Sequence, residues 1–279
     1  MSVNGSSVPA LDRVVRESGR RLLDRLPTLE TPMLVARDRF ARAQIRARTI
    51  ANGLRYDAPP EPYRLIQIDP AAVERGVEFH VPKYTQAGVV TGGDWDRDDW
   101  DRDDCFRFAD LDVYQAYVAH FEEGVPWEET PFYDRVVNEI ERGVVKWGCR
   151  SEAEFRERCE SIERLYERLR TDGYRTQAQL LAESDDDPIE FGRRSQLLTE
   201  RLKDEIAVHV GRDGELIFSD GRNRLSMVKL IGLTDVPVRV LRRHSGWQTV
   251  RDAYVRGEEW AADYADHPDI EYLEFGAQA

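Results

Sequence analysis

The stretch Phe218-Ser219-Asp220-Gly221-Arg222-Asn223-Arg224-Leu225-Ser226-Met227-Val228-Lys229-Leu230-Ile231-Gly232-Leu233-Thr234-Asp235-Val236-Pro237-Val238-Arg239-Val240 decides how this chain is read. Glu215 to Phe218 reads as a strand and Asp220-Gly221 as a tight turn. Arg222 to Ile231 has helical spacing, Gly232 offers a C-cap, and Val236 to Leu241 forms another strand. A strand that passes directly into a helix leaves the free N–H groups of the first helical turn facing the edge of the sheet, and such a turn can hold an anion. Gly221 permits close backbone approach, and Arg222 and Arg224 add guanidinium forks suited to phosphate or carboxylate oxygens. Asp220 is placed to cap the helix or to position a hydrated cation. Asn223 can donate and accept hydrogen bonds but cannot titrate near neutral pH, so imidazole chemistry is excluded there. Leu225, Met227, Val228, Leu230 and Ile231 are the buried side of the helix.

Working upstream, Ile206 to Val210 alternates and Gly211-Arg212-Asp213-Gly214 turns, so a hairpin precedes the decisive stretch. Ser184 to Pro188 is an acidic break and marks a boundary. Before it, Leu111 to Phe121, Glu129 to Arg142 and Ser151 to Arg170 read as helices, the last opened by a Ser151/Glu154 capping box. Its stripe of Phe155, Cys159, Ile162, Leu165, Tyr166 and Leu169 faces inward. Arg64 to Ile68 alternates as a short strand, whereas the run from Val89 through Gly92-Gly93 to Asp104, with seven aspartates between Asp94 and Asp104, reads as a loop. Leu11 to Leu26 and Met33 to Leu54 read as helices, the second with an arginine-rich face and an Asn52-Gly53 stop. The fold class expected is α+β. It comprises a helical N-terminal segment (1–62), a middle region of one strand then helices (63–184), and a C-terminal region with a small mixed sheet and helices (185–279).

The length of 279 residues is ample for a buried core, and a hydrophobic content of 41% argues against wholesale disorder. The formal charge of -13 disfavours a broad nucleic-acid surface, which needs clustered cations. Lysine occurs only at 83, 146, 203 and 229, so 36 of the 40 basic residues are Arg; this acid-rich, lysine-poor bias fits a high-salt cytoplasm. Cys105, Cys149 and Cys159 form no C-x-x-C pair and suit a reducing compartment as buried thiols. No stretch approaches the roughly 18 apolar residues of a membrane span, and the expected location is the cytoplasm.

The pattern Asp-Gly-Arg-x-Arg-Leu, followed by an apolar helix, a Gly and Val-Pro-Val, resembles the nucleotide-binding segment of the ParB N-terminal/sulfiredoxin-like superfamily over about Glu205 to Arg243. A looser likeness links the upstream GGDWD and WEET motifs to archaeal and bacterial proteins. The resemblance implies a nucleotide, ATP or CTP with Mg²⁺, held through Gly221, Arg222, Asn223 and Arg224. Members of the superfamily hydrolyse CTP while clamping DNA, reduce sulfinic acids with ATP, or phosphorylate free serine. Where relatives often carry His, this chain has Asn223. Sulfiredoxin-type chemistry is not expected, since no cysteine lies between Glu205 and Arg243.

Two further groups are candidates. Asp94 and Asp96 are spaced to share a metal or, with Asp220, to serve as catalytic carboxylates, and Trp95 between them offers a stacking face. A solvated acidic loop explains the same run. Arg242, Arg243, His244 and Trp247 follow the last strand, where Arg243 and His244 are placed to close over a base or phosphate. Trp127-Glu128-Glu129-Thr130 reads as an ordinary acidic helix start. There is no Walker loop, no G-x-G-x-x-G and no H-E-x-x-H. The leading expectation is nucleoside triphosphate binding that supports phosphoryl transfer or hydrolysis, with a small-molecule acceptor; a separate reading is a small-molecule or glycan-pathway protein whose substrate wall is formed by Leu111 to Leu181. The alternative is a non-catalytic DNA-partition or regulatory module switched by nucleotide. DNA is the less expected partner, because the C-terminus from Glu258 to Phe275 is acidic and no helix-turn-helix pattern follows the motif.

Overall fold

The computed structural model describes residues 30–79, 81, 83–98, 104–176, 179–180 and 205–277. The expected helix over Leu11 to Leu26 and the acidic break at Ser184 to Pro188 lie outside the described residues. Seven strands form one mixed sheet: β1 (Leu65–Ile68), β2 (Arg75–Val77), β3 (Val89–Thr91), β4 (Cys105–Arg107), β5 (Ala207–Val210), β6 (Leu216–Asp220) and β7 (Val236–His244). Their order is β1-β7-β5-β6-β2-β4. β7 is long enough to take two neighbours along one edge: its start pairs antiparallel with β1, and Arg242 to His244 pairs in parallel with β3. β5 runs parallel to β7 and forms the expected hairpin with β6.

The helices are α1 (Glu30–Gly53), the single turn α2 (Lys83–Gln86), α3 (Asp112–Tyr117), α4 (Pro131–Glu141), α5 (Glu152–Asp172), α6 (Arg222–Ile231) and α7 (Ser245–Val255). Among the described residues none is long and apolar enough to cross a membrane. Local chemistry sets their ends. Thr130 caps α4, its Oγ1 accepting from the Tyr133 amide at 3.2 Å, with Pro131 at the first helical position. Ser151 Oγ accepts from the Glu154 amide at 3.2 Å, while the Glu154 carboxylate reaches back to the Arg150 amide at 2.7 Å, one residue before the expected partner. Gly232, at φ 76°, closes α6 in the left-handed conformation.

Strand alternation divides the sheet's side chains between two faces. On one, Ile66, Ile68, Val208, Phe218, Val238 and Val240 pack with Leu225 and Val228 of α6 and Val250 and Ala253 of α7. On the other, Ala207 and Leu241 meet Ile45 of α1 and Ala87, and Val77 and Ile217 meet Trp95 and Cys105. The helices α3 to α5 bury a second core, including Tyr117, Phe132, Phe155 and Ile162, which joins the first through Met227 of α6. All three cysteines are free and buried, and burial pushes the Cys159 thiol up to about 12.

The structure is thus α+β, with helices and a mixed open sheet. Two expectations are corrected. Val89 to Thr91 is a strand and not part of a loop, because β7 continues beyond β1 and offers it an open edge. Among the described residues the middle region carries four strands, not one, and all four join the sheet built by β5 to β7.

Candidate functional site

At Asp220 the chain leaves β6 and enters α6 through Gly221, which sits at φ 86° and ψ 32°. A Cβ there would lie 3.0 Å from the Ile206 Cα, so both the backbone angle and the space favour glycine. Gly221, the N-cap residue, makes no side-chain hydrogen bond to the first turn of α6. The positive end of the helix dipole stands at the leading N–H groups of that turn.

Two basic side chains, each with a carboxylate beside it, flank this turn. Arg222 is exposed, and its Nη2 stands 3.4 Å from Glu78 Oε1. Lys83, from α2, donates to the Ser219 carbonyl at 2.8 Å and lies 3.4 Å from Asp220 Oδ2. Burial lowers the Lys83 pKa, and the Asp220 carboxylate partly offsets that fall. Arg224 faces the other flank of α6. Its Nη1 donates to Tyr174 Oη at 3.4 Å and lies 3.9 Å from Glu205 Oε2, and Tyr174 in turn donates to Glu205 at 2.8 Å. Glu205 is buried, so Arg224 braces α6 against the entry to β5. Asn223 presents a buried Oδ1 with no hydrogen-bond partner.

The remaining expected site residues lie elsewhere. Asp220 pairs in register with Ala207, whereas the hairpin turn follows Val210 and Leu216 at the other end of β6, about 13 Å away. Asp94 and Asp96 are at that far end. Arg212 is bound to both, with its Nη2 2.7 Å from Asp96 Oδ1 and 3.1 Å from Asp94 Oδ1, and its amide donates to Asp96 Oδ2 at 2.6 Å. Burial alone would raise the Asp96 pKa, but these hydrogen bonds outweigh it and hold the carboxyl below its ordinary value. The three carboxylates expected to act together are therefore not brought together. Trp95 is buried against Phe79 and His209 and offers no open stacking face. Among the described residues no group of three or more His, Cys, Asp or Glu side chains is placed to hold a metal.

Arg243 and His244 are also at the far end of the sheet from Asp220 and do not close over the turn. Arg243 is buried and bound to Asp269 through Nε at 2.8 Å and through Nη2. His244 caps α7, its Nδ1 accepting from the Gly246 amide at 2.9 Å, and its Nε2 lies 3.0 Å from the Gly93 carbonyl. Lys83 was missed in the sequence because its contact with the turn spans 136 residues. The one signal available was its rarity, as one of four lysines among 40 basic residues.

A concavity of about 410 Å³ lies away from the turn, beside β2, and is lined by Glu74, Arg75, Arg107, Phe108, Glu215 and Lys229 among others. Arg75 is already bound there to Glu215 and to Asp98, 2.9 Å away. Comparison with protein-family models, with curated proteins and with solved structures finds no match.

Proposed function

We propose that the turn from Asp220 to Arg222 binds the phosphates of a nucleoside triphosphate, ATP or CTP with Mg²⁺, and that the bound nucleotide undergoes phosphoryl transfer or hydrolysis. The observation that carries this reading is the start of α6 at a left-handed Gly221, with Arg222 exposed on one side and the Lys83 ammonium on the other. Amides, a fork-shaped guanidinium and a compact ammonium are the three donors that phosphate oxygens use. The likeness of this segment to the nucleotide-binding stretch of the ParB/sulfiredoxin-like superfamily points the same way.

Within this reading each residue has a distinct part. The α6 amides and Arg222 neutralise the phosphates as charge builds on them, which is the main protein contribution to phosphoryl transfer. Lys83 takes one oxygen from the sheet side. Asp220 and Glu78 supply the carboxylates nearest the turn and are suited to hold waters of a hydrated Mg²⁺, the usual mode for that ion. Arg224 acts as a positioning residue, keeping α6 aligned through Glu205 and Tyr174.

Isothermal titration of Mg²⁺ with ATP and with CTP tests the proposal. The wild type is expected to bind at least one nucleotide, and Arg222→Ala and Lys83→Ala are each expected to weaken binding by roughly ten-fold or more, the equivalent of one charge-assisted hydrogen bond. Absence of heat for both nucleotides across low and high salt would overturn it.

A further inference from the structure

Several arginines of this protein are matched to carboxylates: Arg243 and Arg251 share Asp269, Arg75 takes Glu215 and Asp98, and Arg212 takes Asp96 and Asp94. Arg242 is not. Partly buried on the opposite face of the sheet from Arg243, it lies over the Phe79 ring at 3.8 Å from the centroid and 6.0 Å from that of Trp95. Its Nε is buried with no hydrogen-bond partner, and no carboxylate among the described residues stands against it. His209 is its register partner across β5 and β7, fully buried, with both ring nitrogens lacking a partner.

The surroundings add positive charge instead of cancelling it. Arg48 of α1, whose Nη1 donates to the Ala87 carbonyl at 2.6 Å, acts on Arg242, and Arg242 and Lys83 both act on His209. Burial, and then the like charge of Arg48, bring Arg242 down to about 10. Burial, Arg242 and Lys83 hold the imidazole of His209 well below its ordinary value, so it is neutral. In a chain with 53 acidic residues against 40 basic ones, Arg48 and Arg242 act on each other here with no carboxylate paired to Arg242, whereas Lys83 has Asp220 at 3.4 Å. A desolvated cation without a counter-ion is unfavourable, and the stack on Phe79 occupies only the face of the guanidinium, leaving its in-plane N–H donors for an anion.

We propose that Arg242, with His209 beneath it and Arg48 beside it, forms a second oxyanion site, separate from the Asp220–Arg222 turn, that takes the phosphate or carboxylate group of a small acid. The guanidinium edge donates to the oxyanion, and the fully buried imidazole beneath it reports the bound charge.

The test follows the ¹⁵N resonances of the His209 ring, assigned by their loss in His209→Gln, while inorganic phosphate and, separately, acetate are added to the full chain at millimolar concentration. At least one anion is expected to shift them in the wild type and in Arg222→Gln, with loss of the shift in Arg242→Gln. The anion giving the larger shift names the acid group. Arg242→Lys keeps a cation and is expected to retain a weaker shift, which guards against a folding defect in the Gln variant. No movement with either anion, or equal movement in Arg242→Gln, overturns the proposal. Because the Arg222→Gln arm leaves this site intact, failure here and failure of nucleotide binding at the turn are separate results.

Discussion

Asp269 holds two fully buried guanidiniums on one carboxylate and also accepts from the Trp247 indole N–H at 2.9 Å. Burial alone would raise its pKa, but Arg243 and Arg251 outweigh that and hold it far below the ordinary carboxylate range. A depressed folded pKa means that the stabilisation is complete above the unfolded value of about 4 and is lost as pH falls below it. Asp269→Asn leaves both cations unpaired, and urea unfolding at pH 7 is expected to show a loss of about 3–5 kcal/mol, narrowing at pH 3. A loss under about 1 kcal/mol at pH 7 would show that the arginines find other partners. The same strand shows how far single residues are legible. Arg242, Arg243 and His244 are consecutive in the sequence, and alternation predicts that neighbours face apart. It does not say which one meets an acid, because Asp269 arrives from 26 residues further along the chain.

Among the elements, α6 was legible from end to end: the expected span Arg222 to Ile231 is the observed one, because Gly221 and Gly232 both take left-handed backbone angles at its limits. The helix α5 also declared itself through the Ser151/Glu154 cap, whereas α4, expected from Glu129, starts at Pro131 behind a Thr130 cap. The strands β2, β3 and β4 did not, since three residues give too short a run to show a period of two and their pairing is non-local. Gly221 is the position where element and site meet. Gly221→Ala places a side chain in a strained conformation against Ile206 and is expected to cost about 1–3 kcal/mol, read as a lowered thermal midpoint, together with weaker nucleotide binding. An unchanged midpoint would mean that the turn relaxes freely and is not held for a ligand.

For the whole molecule, the division drawn at 184/185 does not divide the sheet. β1 to β4 come from residues 65–107 and β5 to β7 from 207–244, and β7, the longest strand, pairs with β1, β3 and β5. A fragment of residues 185–279 is therefore expected to show no cooperative thermal transition, since β7 and β6 would expose edges now covered by β1, β3 and β2. A sharp transition in that fragment would restore the division. The same long-range assembly brings Lys83 and Glu78 to the Asp220 turn, which is why the sequence shows only half of the candidate site. The most direct test of that site is the backbone amide spectrum of the intact chain titrated with Mg²⁺ and ATP or CTP. The account predicts saturable shifts of the Gly221 to Arg224 amides with at least one nucleotide, and loss of those shifts in Arg222→Ala. Spectra in which those amides stay unmoved while nucleotide is bound elsewhere, or not bound at all, would contradict it.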